Sequence, residues 1–206
     1  MHNKNVFWTV GTLLLVFALG TSAVAQKRTP RHFHGVINDV TAAHDAKGKT
    51  SGPWELHGVW SLDLGWEGDT ATFSAALSME DSDYWLLINT NPPADPDSPA
   101  TRTPHTHHIS MKADQVTWDP SVIATSCPTA SYSPNTTTGF MVTGSANVTA
   151  NGGYAPFAPQ GQLSQLTICV TGGSQRGFSN VTLVFGSPAN GHFGSQPING
   201  AVRGVK

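Results

Sequence analysis

Between Trp54 and Glu80 the sequence keeps a period of two almost without a break. Trp54, Leu56, Trp60, Leu62 and Leu64 alternate with Glu55, His57, Val59, Ser61 and Asp63. Past a turn at Gly65 to Asp69, Ala71, Phe73, Ala75, Leu77 and Met79 alternate with Thr70, Thr72, Ser74, Ser78 and Glu80. An extended chain sends successive side chains to opposite faces, so each run makes a strand with one apolar and one mostly polar face. A helix would scatter the same residues around its axis. The short connection predicts an antiparallel hairpin, and its apolar face must be covered by further strands.

The rest of the chain supplies them. His32 to Ile37, His105 to Met111, Phe140 to Val148, Leu166 to Val170, Phe178 to Phe185 and His192 to Val202 read as strands, and Tyr84 to Ile88 as a further one. Gln115 to Trp118 and Ser121 to Ala124 read as short extended pieces split by Asp119-Pro120. Ala42 to Pro53 is polar and broken by glycine and proline, so it reads as a loop. Asn89 to Pro104 is proline-rich and nearly devoid of apolar side chains, a length of loop that inside a compact domain is often functional. No stretch after the first 25 residues carries a helical period. The expected fold is all-β, a single-domain antiparallel β-barrel, with a β-sandwich as the alternative.

Composition places this domain. The chain opens on Met1-His2-Asn3-Lys4-Asn5, runs apolar from Val6 to Leu19 and reaches Ala23-Val24-Ala25, the pattern of a secretory signal peptide over 1–25. The expected mature chain is one domain, 26–206, secreted or periplasmic, with no transmembrane segment. It holds two cysteines, Cys127 and Cys169, which in an oxidising compartment predict a disulfide. That bridge closes a loop of about 43 residues, on the order of 4 kcal/mol in the chain-entropy account. Charged residues make up only 12% of the chain and form no basic stripe, which argues against nucleic acid as a partner.

The chemistry concentrates in Pro104-His105-Thr106-His107-His108-Ile109-Ser110-Met111. Three of the nine histidines in the chain fall in these eight residues. Strand parity puts His105 and His107 on one face with Ile109 and Met111, and His108 on the other with Thr106 and Ser110. Two imidazoles on an apolar, inward face are costly to bury unless each finds a partner. Zinc, copper and iron favour imidazole, and two histidines at i and i+2 can reach one ion. The third ligand must then come from elsewhere: His57, His34, His32, His192 or Glu80. The predicted site therefore takes zinc or copper on His105 and His107, with His57, His34 and Glu80 as companion ligands. His108, Tyr84, Trp85 and Met111 form the candidate contacts for a small ligand. Trp66 and Trp85, near turns, are the tryptophans best placed for the surface. Glu80, Asp81 and Asp83 form an acidic cluster better suited to metal support than to paired acid–base work.

Gly58-Val59-Trp60 on an early strand, with Arg203 near the end, resembles the Gly-x-Trp plus late-Arg arrangement of lipocalins. In that family an Arg packs over the Trp at the closed end of an eight-stranded barrel, so the resemblance implies a barrel of that size. No nucleophile elbow, phosphate loop or dinucleotide fingerprint is present. The leading functional expectation is a metal-binding protein, either hydrolytic or redox-active. The alternatives are a non-enzymatic, lipocalin-like carrier of a small molecule and a structural or surface-interaction protein.

Overall fold

The computed structural model describes residues 31–44, 50–81, 104–128, 139–151, 161–172 and 179–206. The strands are β1 (Arg31–His44), β2 (Thr50–Leu64), β3 (Ala71–Asp81), β4 (His105–Ala113), β5 (Gln115–Thr117), β6 (Gly139–Ala150), β7 (Gln162–Thr171), β8 (Asn180–Phe185) and β9 (Ile198–Val205). Two short helices join them, α1 (Pro120–Ser126) and α2 (Asn190–Phe193).

Every neighbouring pair is antiparallel. Strands β1 to β4 follow one another around the wall; β6 pairs with β4, β7 to β9 continue, and β9 returns to β1. The result is a closed, eight-stranded, up-and-down barrel, the first of the two predicted architectures. The extra strand, β5, pairs with β6 at Gln115↔Thr143, just beyond the last β4–β6 partner, Met111↔Ala146. At the seam, His32 N donates to Lys206 O and Lys206 N to His32 O, both at 2.9 Å.

Period-two alternation sets the inside. On β2, Trp54, Leu56, Trp60, Leu62 and Leu64 are buried; on β3, Ala71, Phe73, Ala75, Leu77 and Met79 are buried. They share one core with Phe33, Ile37, Ile109, Met111, Phe140, Ile168 and Leu183. A barrel of eight strands is about wide enough for side chains to fill it, as they do here.

The two ends differ. At one, the β2–β3 turn folds over, with Trp118 Nε1 donating to Gly68 O at 2.9 Å and the Trp118 ring against Phe140. The other end is entered by the β8–β9 connection, which carries α2. Ala189 and Phe193 are fully buried there. Ser164 Oγ donates to Gly186 O at 2.9 Å and accepts from Ala189 N at 3.1 Å. Thr41 Oγ1 donates to Phe193 O at 2.6 Å, and the Phe193 ring stacks on Phe185 at 4.5 Å.

Outside the wall, α1 covers β6 and β7. Asp119 caps it, accepting from Ser121 N at 2.8 Å, and Pro120 opens it. Ile123 joins Met141, Cys127 and Cys169 in a small second core, and the Cys127–Cys169 disulfide ties the end of α1 to β7.

Four sequence expectations are corrected. Ser121 to Ala124 is helical, because Asp119-Pro120 is a helix start rather than a strand break. His192 to Val202 is not one strand: His192 and Phe193 belong to α2, and β9 begins at Ile198, after Gly194 and Pro197. Within Ala42 to Pro53, read as a loop, β1 and β2 extend with His44↔Thr50 and Ala43↔Ser51 paired, and residues 45–49 lie outside the described residues. Backbone ladders close there regardless of side-chain polarity. Trp60 is inward and buried, but Arg203 is exposed on the outer side of β9, so the lipocalin-type packing of Arg over Trp is not formed. Tyr84 to Ile88, the Asn89 to Thr103 stretch and residues 1–30 lie outside the described residues.

Candidate metal centre

Strand β4 pairs on both edges, with β3 through His107↔Leu77 and with β6 through His107↔Ala150. Leu77 and Ala150 are both inward and buried, so His107 is inward as well, at 1% exposure. His105, two residues earlier, points the same way from the rim. His108 stands exposed on the outer wall, as do Ser110 and Lys112.

The third imidazole comes from α2. With Ala189 and Phe193 buried, the helix holds His192 over the rim beside β4. His107 Nε2 lies 2.9 Å from His192 Nε2, and His105 Nε2 lies 3.1 Å from the same atom. One nitrogen from each ring falls within 4.8 Å of the others, a group that could hold a metal ion. The rings meet at steep angles, with centroids 4.7 Å apart for His105 and His107 and 4.8 Å for His107 and His192.

The second nitrogen of His107 fixes its tautomer. Nδ1 lies 3.2 Å from Thr149 O. A carbonyl only accepts, so the proton of the neutral ring sits on Nδ1 and the Nε2 lone pair faces the group. A backbone carbonyl behind a histidine is the usual way a protein orients a metal-binding imidazole. Aromatic rings wall the group: Trp54 meets His105 edge-on at 5.7 Å, and Phe193 lies 4.8 Å from His107 and 5.3 Å from His192.

Burial pushes His107 from its ordinary 6.5 down to about 2, with His192 and His105 adding to the effect and the Thr149 carbonyl opposing it. Burial, then His105, lowers His192 to about 4. Both rings are therefore neutral at pH 7, the form that ligates metals.

The other sequence candidates are placed elsewhere. His57 is exposed on the outer face of β2, its Nε2 3.2 Å from Glu55 Oε2. His34 is on the outer face of β1, stacked on His32 at 5.4 Å, while His32 Nδ1 is 2.6 Å from Asp63. Glu80 is exposed on the outer face of β3. Parity explains all three: each occupies a polar position of its own strand, with the barrel wall between it and His107. Met111 is inward but packs deeper, opposite Phe73 and Ala146. Tyr84, Trp85 and Asp83 lie outside the described residues, as does the side chain of Asp81.

Asp39 stands opposite Leu56 on the inward register of β1, and its Oδ2 accepts from Asn199 N at 2.6 Å and from Asn199 Nδ2 at 3.2 Å. Among the described residues, no carboxylate or thiolate joins the histidine group. The Thr149 carbonyl and the Phe193 wall had no side-chain signal of their own to mark them in advance. No protein-family model matches the chain, and no match is found among curated proteins or solved structures.

Proposed function

We propose that this protein binds one transition-metal ion, zinc or copper, through the Nε2 atoms of His105, His107 and His192. The observation that carries the reading is the convergence itself. Two elements more than eighty positions apart bring three imidazole nitrogens face to face, and His107 is tautomerically fixed to present a lone pair. His192 Nε2 faces a ring nitrogen of both His105 and His107, and a metal ion accepts lone pairs from three such rings at once. The three-imidazole donor set found among the described residues suits zinc and copper rather than calcium or magnesium, which take oxygen ligands.

Three protein ligands, counted among the described residues, leave a coordination position open, as in catalytic rather than structural zinc sites. That arrangement fits a metal-dependent hydrolytic or redox enzyme. The packed interior favours an ion over an organic molecule as the occupant of the barrel. The disulfide supports an oxidising compartment, consistent with export to the periplasm or the medium.

Elemental analysis of protein purified without a histidine tag, followed by calorimetric titration of the metal-free chain with zinc and with copper, tests the reading. One equivalent bound is expected. No heat and no retained metal would overturn it.

A further inference from the structure

Resting on the metal reading above, we infer that the open position of the ion takes a small anionic ligand, an oxygen or nitrogen donor such as a carboxylate or azide, entering past His105 and His192. The argument begins with charge. A ligating histidine is neutral, so three of them leave the double charge of a zinc or copper(II) ion uncompensated. Structural sites with thiolates or carboxylates cancel that charge within the first shell. Here no such group belongs to the cluster among the described residues. Asp39, on the inward register of β1, accepts two hydrogen bonds from Asn199. Glu55 and Glu80 are on the outer wall.

Surroundings strengthen the demand. Trp54 and Phe193 border the rings, and His107 is sealed at 1% exposure. A charge among apolar groups is attracted to a counter-ion far more strongly than in water, because the dielectric screening is weaker. Access is one-sided. Behind His107 the barrel is filled by Leu77, Ile109 and Phe193, each fully or nearly fully buried. His105 and His192 are only partly buried and mark the solvent side. A ligand arriving there meets an ion with a net positive charge and an aromatic rim, which selects small anions over neutral molecules.

Cobalt(II) substitution separates this inference from the reading beneath it. The metal-free chain is titrated with cobalt chloride, and the visible d–d spectrum reports the coordination sphere. The spectrum is then followed while sodium azide, sodium acetate or neutral acetonitrile is added at tens of millimolar. The expected result is a saturable spectral change with azide and acetate, none with acetonitrile, and a loss of the cobalt bands in His192→Ala. Cobalt bands that do not respond to either anion would overturn the inference while leaving the metal site standing. A response to acetonitrile equal to that of azide would also overturn it, since charge would not be the selector. Failure of cobalt, zinc and copper alike to bind would remove both.

Discussion

His107 divides its two ring nitrogens between two tasks: Nδ1 donates to the Thr149 carbonyl, and Nε2 faces His192. His107→Ala and His192→Ala should therefore each reduce bound zinc from one equivalent to none by elemental analysis. His108→Ala and His57→Ala, on the outer wall, should leave it unchanged. Equal losses in all four would refute the inward grouping. Phe193 has a different role. It is wholly buried between Phe185 and the His107 ring, and it is the residue next to His192. Phe193→Ala should cost about 3–5 kcal/mol of stability in urea unfolding. It should also weaken metal binding, because α2 loses the anchor that places its histidine.

The disulfide and the histidine group belong to different layers. The Cys127–Cys169 bridge ties α1 to the outside of β7, whereas the histidines lie within the barrel end. Cys127→Ser combined with Cys169→Ser should lower stability by about 3–4 kcal/mol and leave the metal stoichiometry at one. Gly35 constrains β1 more sharply. A Cβ there would collide with the Ala201 carbonyl of β9 and approach Trp60 Nε1 at 2.9 Å. Gly35→Ala should thus part the β1–β9 seam, seen as a lowered melting temperature without loss of the disulfide.

Elements were also where the sequence was most readable. Trp54 to Leu64 and Ala71 to Met79 alternate because one face of each is core and the other is solvent, and that contrast is written in residue polarity. The same parity put His105 and His107 on a common face and His108 opposite. His192 was harder to read. Its position depends on Ala189 and Phe193 burying a four-residue helix, and so short a segment has no period to detect. His57, His34 and Glu80 looked equally eligible by composition. Their polar strand positions put them on the outer wall once the apolar faces close inward, away from His107.

For the whole molecule, the buried imidazoles make stability depend on pH. In the metal-free protein His107 and His192 have pKa values of about 2 and about 4, against an ordinary 6.5. Between these values the unfolded chain holds protons that the folded chain refuses. The stability they contribute is thus complete above pH 6.5 and is lost as pH falls toward 4 and then 2. Where both rings titrate, the slope is up to about 2.7 kcal/mol per pH unit. Urea midpoints measured from pH 7 to pH 4.5 should fall steadily, and zinc should be released over the same range as protons compete for Nε2. A midpoint that rose on acidification would contradict the burial of neutral rings.

The seam between β1 and β9 bears on how the chain can be rewired. His32 and Lys206 exchange two backbone hydrogen bonds, so the first and last strands of the barrel wall are neighbours. A circular permutant that links Lys206 to Arg31 by a few glycines and opens the chain between Asp69 and Thr70 keeps every strand pairing intact. The new termini then lie at the end of the barrel away from His105, His107 and His192. Such a permutant should fold and still bind one equivalent of zinc, which would make this scaffold a metal-bearing barrel whose ends can be moved without touching its cargo.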